Sequence, residues 1–307
     1  MNNIYDVFND EHTKPQQQER KPRLSKEEYA QMMKEKRQAL FNMANEQTFK
    51  AVENPDQYLQ YLKLQSILDY TVTNTLLVMA QNPNATILKD YTHWREMNKY
   101  VQKGAKGITI LEPGKEYQRQ DGSIGINYNP KTVFDISQLN GKDNNPPLPA
   151  RFNIKELVGA IVHRVDIKPE IVSEDSDMPK DVYFDRDRNS LFVKNGLQPE
   201  AMLTGLIREY CFIDCADQFN SRSEARFMAE SAAYMIAQKY GLVHYDKDFV
   251  NNIYHHFEGK EQKDIKGELE NIKILKDSVV ERMEHGIYVQ QQNRQEKQTR
   301  RDSYSRL

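Results

Sequence analysis

Cysteine is scarce in this chain, which has Cys211 and Cys215 as its two thiols in 307 residues. Thiols four residues apart do not form a disulfide framework, so the fold must depend on packing rather than on cross-links. Long apolar runs are missing too, because no window approaches the roughly 18 uninterrupted apolar residues that a membrane-spanning helix needs. The first residues also lack the apolar stretch of a signal peptide. These absences predict a cytoplasmic protein without a membrane segment.

A strong charge of either sign is absent as well. The 43 basic and 45 acidic side chains leave a formal net charge of −2, so any surface for nucleic acid must be a local patch. Apolar residues make up 38% of the chain and charged residues 29%. This length and polarity predict two domains, each able to bury its own core.

Proline, asparagine and glutamine mark the boundaries of these domains. Asn144-Asn145-Pro146-Pro147 indicates a linker, because successive prolines end regular structure. The predicted class is α+β. The predicted segments are a disordered N-terminus (1–24), an α+β domain (25–143), a proline-rich linker (144–150), a mostly helical domain with a β-hairpin (151–245), C-terminal helices (246–289) and a disordered tail (290–307).

Capping residues predict where the helices begin. Ser25 with Glu28 forms a capping box, and Asn54-Pro55 provides an N-cap followed by a proline in the first turn. Apolar residues at three- and four-residue spacing then predict one buried stripe that continues to Asn82-Pro83. Asn153 is the expected cap of the first helix in the second half. Further helices are expected over 199–217, 222–240 and 260–286.

Short extended runs predict the strands. The first half has runs over 107–111 and 132–136, with a hairpin turn at Asp121-Gly122 between extended segments. In the second half, 181–194 has the pattern of a hairpin. Both halves are therefore expected to combine helices with a small sheet.

The stretch from Tyr70 to Pro113 concentrates amides, aromatics and lysines, a mixture that suits binding to a nucleic-acid strand. Aromatic rings can stack on bases, lysines can neutralise phosphates, and amides can reach a base edge. Each feature also has an ordinary structural interpretation, since a single tryptophan is often a core anchor, lysines often form a solvated face and amides often bond to the backbone. The candidate residues are Asn74, Gln81, Tyr91, Trp94, Lys99, Lys103 and Lys106.

Several motifs in this region occur in the order found in a known family. They are Asn74, Leu76-Leu77, Gln81-Asn82-Pro83, Thr92-His93-Trp94, Lys103-Gly104, Lys106-Gly107 and 133–138. Residues 25–140 resemble the N-terminal domain of the ArdC-type antirestriction family, which is carried by conjugative plasmids, integrative elements and phages. The resemblance implies that this domain binds single-stranded DNA. One departure is Asn98-Lys99, where relatives commonly have Gly-Arg.

Residues 150–245 look like the domain that follows in that family, a zincin-type metallopeptidase fold. Relatives have His-Glu-x-x-His on one helix and Ala-Glu-Ser-x-Ala-Tyr on the next. Residues 229–234 keep the second motif, with Glu230 at the place of a metal ligand. Where the first motif belongs, the chain reads Arg208-Glu209-Tyr210-Cys211-Phe212.

This departure predicts a pseudopeptidase with no catalytic residue, no metal and no cofactor. A catalytic zinc needs three protein ligands and an open position, but arginine stays protonated and phenylalanine has no lone pair to donate. Glu209 and Glu230 would be remnants, with Arg208 and Phe212 in place of ligands. We further expect Arg208 to occupy the former metal position and to pair with Glu230, with Glu209 as a second partner.

The predicted function is therefore non-enzymatic. The chain is expected to bind single-stranded DNA as an antirestriction-like accessory protein of a mobile genetic element, and its degenerate domain is expected to dock a protein partner. One alternative is an active metallopeptidase with unusual ligands. Those ligands would come from Glu209, Cys211, Asp214, Cys215 and Glu230. Another alternative is a protein-interaction module that does not bind DNA.

Overall fold

The computed structural model describes residues 25–141, 152–242 and 246–304, with side chains as far as residue 298. The predictions made for 1–24 and for the linker over 144–150 lie outside these residues. Helices predominate and two small sheets accompany them, so the predicted α+β class is confirmed. Within the described part of the chain, no helix combines the length and the apolar character that crossing a membrane requires.

The elements are numbered in chain order. The helices are α1 (Lys26–Val52), α2 (Pro55–Leu68), α3 (Val72–Gln81), α4 (Tyr91–Glu96), α5 (Ile154–Ile161), α6 (Pro199–Cys215), α7 (Arg222–Lys239), α8 (Lys247–Phe257) and α9 (Gln262–Tyr304). The strands are β1 (Leu88–Lys89), β2 (Ile108–Gln118), β3 (Ile124–Asp135), β4 (Pro169–Val172), β5 (Val182–Asp185) and β6 (Ser190–Lys194).

The helix starts expected from capping residues are confirmed. The Ser25 hydroxyl accepts a hydrogen bond from the Glu28 backbone, and the Glu28 carboxylate accepts one from the Ser25 backbone. Asn54 caps α2 and Asn153 caps α5 in the same way, each through its side-chain oxygen. These caps satisfy backbone N–H groups that have no partner inside the helix. Because the bonds are local, the helix starts can be predicted from a few residues of sequence.

The stripe that continues to Asn82 is two helices, not the single helix that the sequence predicts. The chain turns at Asp69, whose φ of +52° is left-handed, and Thr71 caps the new helix α3. Aspartate tolerates this conformation better than most residues. Lys276 of α9 is buried at 2% exposure and lies 3.3 Å from the Asp69 carboxylate. The break therefore coincides with a contact from a helix more than 200 residues away.

The first sheet has the order β1-β3-β2, with antiparallel pairing throughout. Its two long strands extend well beyond the predicted runs and form a ribbon whose outer half is exposed. The predicted turn at Asp121-Gly122 is present, with Gly122 at a φ of +82°. A register shift between Pro113 and Glu116 marks a bulge where the ribbon leaves the core.

The second sheet has the order β4-β6-β5, with β6 parallel to β4 and antiparallel to β5. The predicted hairpin over 181–194 corresponds to β5 and β6. Strand β4 is not predictable from the sequence, because its four residues show no alternation that would distinguish a strand from a loop. Strand β5 is an edge strand, and its position next to α6 and α7 defines the site described below.

Residues of both halves contribute to the main hydrophobic core. Helix α2 packs on α7, where the Tyr58 hydroxyl lies 2.9 Å from the Ser231 hydroxyl and the Ser66 hydroxyl donates to the Met235 carbonyl at 2.6 Å. Helices α1, α5, α6 and α7 all contact α9. The segments predicted as separate domains thus share a core.

The C-terminal helix is longer than expected. The sequence predicts an unfolded tail from Gln290, whereas α9 continues to Tyr304. Gln290 donates to the Glu156 carbonyl at 3.1 Å, and Arg294 forms an ion pair with the Glu156 carboxylate. Glutamine and arginine are favourable in helices, and these contacts hold the extended helix against α5.

Candidate functional site

A buried charge cluster lies where α6 and α7 meet the edge of β5. Glu209 of α6 has 0% exposure, and its carboxylate accepts hydrogen bonds from three donors. Arg208 Nε donates to Oε1 at 2.9 Å, Arg222 Nη2 lies 2.7 and 2.6 Å from the two oxygens, and the Phe184 backbone N–H donates to Oε2 at 2.9 Å. A carboxylate that loses all its water requires such partners.

Arg222 is fixed by aromatic rings as well as by charge. Its guanidinium carbon lies 4.2 Å from the centre of the Phe212 ring and 4.6 Å from that of Tyr183. Its Nη1 group also donates to the Phe184 carbonyl at 3.1 Å. Phe212 therefore provides an apolar surface on which an arginine stacks.

The same side chains cover the free edge of β5. Arg208 Nη2 donates to the Val182 carbonyl at 2.7 Å, while Glu209 and Arg222 bond to the N–H and carbonyl of Phe184. An uncovered strand edge invites pairing with another chain. Three backbone groups on this edge are already bonded, which leaves this part of β5 unsuited to pairing with an extended peptide.

Arg208 bonds to Glu209, which we expected as its second partner. We expected Glu230 first and Glu209 second, but the recorded bonds of the Arg208 guanidinium go to Glu209 and to Val182. The Glu230 carboxylate, at 2% exposure, lies 3.7 Å from Lys180. The physical reason is the position of β5, whose carbonyl draws the guanidinium toward the sheet.

Lys180 also belongs to a second group of charges at the start of α8. It lies 3.1 Å from the Asp246 carboxylate, and Arg226 of α7 lies 3.1 Å from the other oxygen of the same group. Burial opposes the charged form of Asp246, but the Phe249 backbone N–H and Lys180 outweigh it and lower the pKa of Asp246 below its ordinary value. The carboxylate therefore stays ionised between two cations.

These charges surround a cavity of about 270 Å³. Its lining residues are Lys180, Arg208, Phe212, Arg222, Ser223, Arg226, Ala229 and Glu230. Four of these side chains are cations, and Glu230 is the one carboxylate among the lining residues that the structure describes. A divalent metal needs oxygen, nitrogen or thiolate donors, so this lining does not fit one.

The alternative ligands proposed from the sequence do not improve the fit. Cys211 and Cys215 are buried, and burial raises the pKa of both thiols, that of Cys215 to about 12. The thiolates that bind metals are therefore disfavoured. The Asp214 carboxylate is bonded to Arg282 at 2.9 Å. Glu209 is already held by two guanidinium groups.

Asn74 and Gln81 bind the backbone of β2, the edge strand of the first sheet. The Asn74 amide accepts from the Leu111 N–H and donates to the Leu111 carbonyl, both at 2.9 Å. The Gln81 amide does the same with Thr109, also at 2.9 Å. The two amides lie seven residues apart on α3, which puts them on one helical face. The backbone alternative raised for these residues is the one that the structure shows.

Trp94 is a core residue, which corrects the expectation that it stacks on a base. It has 1% exposure, and its indole N–H donates to the Phe134 carbonyl at 2.9 Å. It packs with Ile136 and Leu139 in a small separate cluster. A ring buried on both faces offers no surface to a nucleobase, so Trp94 positions α4 against β3.

The remaining candidates lie at the surface around α4 and the loop that follows it. Tyr91 is 53% exposed at the start of α4, Lys103 and Lys106 are exposed, and Lys99 is half-buried. Gln138 donates to the Lys106 carbonyl at 2.8 Å and so anchors this loop. The structure therefore keeps an aromatic ring and three lysines within one stretch of chain that is available to a ligand.

Arg222 and Lys180 were not among the residues singled out from the sequence. Both lie outside the two motifs, and Arg222 is 13 residues from Glu209. Charged residues in this polar chain are too common for either to be distinctive. The sequence offered one chemical reason to look for such residues, because a buried Glu209 without a metal must have cationic partners.

Comparisons with known proteins yield structural neighbours. No protein-family model matches the chain, and no curated protein matches it in sequence. A crystal structure of metal-free antirestriction protein ArdC from plasmid R388 is 17% identical, with a TM-score of 0.47, over 70% of this chain and 86% of that chain. The Mn(II)-bound structure of the same protein is also 17% identical, with a TM-score of 0.46, over 70% of this chain and 85% of that chain.

Proposed function

We propose that this chain binds single-stranded DNA as an antirestriction-like accessory protein of a mobile genetic element, and that its second half is a peptidase-like scaffold without peptidase activity. The observation that carries the second part is the bonding of Glu209. A general base in a metallopeptidase must accept a proton from a metal-bound water. Here the carboxylate is buried and already accepts from Arg208, Arg222 and a backbone N–H.

The absence of suitable ligands at positions 208 and 212 supports the same conclusion. Arg208 cannot donate a lone pair, and Phe212 packs under Arg222. The helix pair and hairpin are retained while the groups that would do chemistry have become a salt-bridge network. Such a network fixes the packing of α6, α7 and β5, which suits a scaffold or a docking surface for a protein partner.

Support for DNA binding comes from the ordered motifs of the first half together with the exposure of particular side chains. Lys103 and Lys106 lie on a loop that contains Gly104 at a φ of +84°, so the backbone turns tightly there and leaves both ammonium groups to solvent. Tyr91 adds an exposed ring. Cations beside aromatic rings bind unpaired strands with little sequence preference.

The test is binding of a fluorescein-labelled oligodeoxythymidylate of 30 residues, followed by anisotropy across a series of salt concentrations. Each phosphate contact on a single strand contributes ~0.7 to the slope of log affinity against log salt, so Lys103→Ala with Lys106→Ala should lower that slope by about 1.4. The matched control is Lys247→Ala with Lys263→Ala, which removes the same charge from exposed positions of α8 and α9. Equal slopes for the two double variants would remove the lysine loop from the mechanism.

The scaffold proposal has its own test. Purified protein should hold no stoichiometric zinc or manganese by elemental analysis, and a chelator should leave its melting temperature unchanged. Cleavage of a casein or peptide library that stops when chelator is added would contradict the proposal and favour the metallopeptidase alternative.

A further inference from the structure

The ribbon formed by β2 and β3 continues beyond the core as a two-stranded arm. Past the bulge between Pro113 and Glu116, every residue of β2 is exposed. On β3 the exposed stretch extends from Ile124 to Asn129, apart from the buried Gly125. The two faces of this arm differ in chemistry, because residues paired across the strands project to the same side and successive residues alternate.

One face carries an apolar stripe. Ile124, Ile126 and Tyr128 follow one another on this side of β3 at 66%, 44% and 38% exposure. At the foot of the stripe, Tyr128 meets Phe41 of α1 edge to face, with ring centres 6.2 Å apart. This face therefore continues into the packing of the first helix.

The other face carries a tyrosine ring that covers a glycine. Tyr117 pairs directly with Gly125 across the ribbon. A Cβ atom added to Gly125 would lie 2.6 Å from Cζ and 2.8 Å from Cε1 of that ring. Gly125 is buried in spite of its position in the exposed arm, while Tyr117 is 45% exposed. The ring therefore covers the Gly125 backbone, while 45% of Tyr117 remains open to solvent.

Polar and cationic groups surround this ring. Arg119 lies two residues after Tyr117, just beyond the end of β2, and its guanidinium donates to the Ser123 hydroxyl at 3.2 Å. Lys115 lies two residues before Tyr117 and is exposed. Asn127 follows Gly125 on the same side of β3 and is also exposed. A flat ring, two cations and an amide are thus grouped within a few residues.

The cations of the arm are Lys115 and Arg119, and its carboxylates are Glu116 and Asp121. At the foot of the same face, Lys131 lies 2.7 Å from the Glu112 carboxylate and 3.2 Å from that of Asp90, so its charge is neutralised. Asp121 in the turn accepts from the Ser123 backbone and hydroxyl. Because residues 114–129 carry no net charge, a phosphate would be held on the arm by individual contacts with Lys115 and Arg119.

We propose that the open face of Tyr117 is a stacking platform for an unpaired nucleobase, with Lys115 and Arg119 holding the phosphates on either side of it. This inference rests on the proposed single-strand binding and assigns it to a second element, the arm that follows the lysine loop. A ring that already packs on the Gly125 backbone loses less freedom when a base stacks on it than a fully exposed ring would. Bases in a duplex are already stacked on one another and cannot use the platform.

A purely structural role for Tyr117 predicts different behaviour. Aromatic rings that cover a cross-strand glycine stabilise the strand pair, and this role requires only an apolar cover. Tyr117→Leu keeps an apolar side chain over Gly125 but removes the π face, whereas Tyr117→Phe keeps both. Tyr128→Leu makes the same change on the opposite face of the same arm and is the matched control.

The experiment measures binding of a labelled oligodeoxythymidylate, a duplex of equal length and a strand of abasic sugar-phosphate units to the full chain. Stacking contributes enough that Tyr117→Leu should weaken oligodeoxythymidylate binding roughly 5- to 150-fold. Tyr117→Phe and Tyr128→Leu should bind within about twofold of the parent. On the abasic strand, which has phosphates but no bases, Tyr117→Leu should have no effect.

The outcomes separate this inference from the function on which it rests. If the parent binds the single strand and Tyr117→Leu binds equally well, or if Tyr128→Leu is weakened as much, the platform is refuted while single-strand binding stands. Equal binding of the duplex and the single strand also refutes it. If the parent shows no salt-dependent binding to any strand, the proposed function fails and the platform with it.

Discussion

Replacing Arg222 by methionine tests whether Glu209 is a structural counterion. Arg222 contributes two charge-assisted hydrogen bonds to the buried Glu209 carboxylate and one bond to the Phe184 carbonyl. Methionine keeps an unbranched apolar stem between the rings of Phe212 and Tyr183 but removes every donor. The buried carboxylate is then left with Arg208 and one backbone N–H as its recorded partners.

The magnitude follows from the burial of the pair. Removing one partner of a buried ion pair costs about 3–5 kcal/mol, and the lower end applies because Arg208 remains beside Glu209. The entropy of unfolding is ~2.1 cal/mol/K per residue, or about 0.6 kcal/mol per degree for a chain of this length. A loss of about 3 kcal/mol should therefore lower the melting temperature by about 5 °C.

Circular dichroism at 222 nm gives the melting temperature, and Arg188→Met provides the control. Arg188 pairs with Asp185 at 3.5 Å on the same hairpin, but its side chain is 74% exposed. An exposed pair contributes little, so this variant should melt within about 1 °C of the parent.

A second variant makes the reasoning sharper. Glu209→Gln alone leaves Arg208 and Arg222 close together without their shared counter-charge and should also be destabilising. Combined with Arg222→Met, the two changes should cost about 1–3 kcal/mol less than the sum of their separate effects, because each one removes the same interaction. If Arg222→Met melts with the parent, or if the two effects simply add, Glu209 is not held by Arg222 in the way that the geometry indicates.

Three further predictions concern other parts of the chain. Asn74→Leu should lower stability by about 2–4 kcal/mol in urea unfolding, because the buried N–H and carbonyl of Leu111 lose their partner at ~1–3 kcal/mol each; unchanged stability would show that the edge of β2 does not need the amide. Trp94 emission should not change when single-stranded DNA is added, because the indole is buried against Phe134, and a strong quench would contradict that placement. His163 Nε2 lies 2.9 Å from His285 Nδ1, and burial, followed by the charge of His285, lowers the pKa of His163 below 6.5. Because the folded state then binds fewer protons than the unfolded state, the contribution of His163 to stability should be complete above pH ~6.5 and fall as the pH drops below it. In the His163→Gln variant, the melting temperature should therefore depend less on pH between pH 7.5 and 5.5. If the melting temperature of the variant falls with pH as steeply as that of the parent, His163 is not the group responsible.

Local chemistry explains which features could be predicted. The caps at Ser25 and Asn54 and the turn at Asp121-Gly122 depend on bonds within four residues, so short stretches of sequence contain all the information they need. The α+β class follows from the same local patterns. The boundaries that failed are those decided from a distance, such as the break at Asp69 where Lys276 of α9 makes contact.

By itself, the sequence determined which atoms are available at positions 208 and 212. Arginine at 208 and phenylalanine at 212 cannot coordinate a metal in any fold, because a protonated guanidinium and a hydrocarbon ring have no lone pair to give. Only the tertiary structure decided how each polar side chain is used. In the folded chain Arg208 bonds to Glu209 and to the β5 edge, and the Asn74 and Gln81 amides bond to the β2 edge. Trp94 is buried, whereas Tyr117 is exposed on the arm. The physical reason is that a side chain bonds to the groups that lie near it in space. Apart from the adjacent pair Arg208 and Glu209, the bonded residues lie 13 to 40 positions apart along the chain.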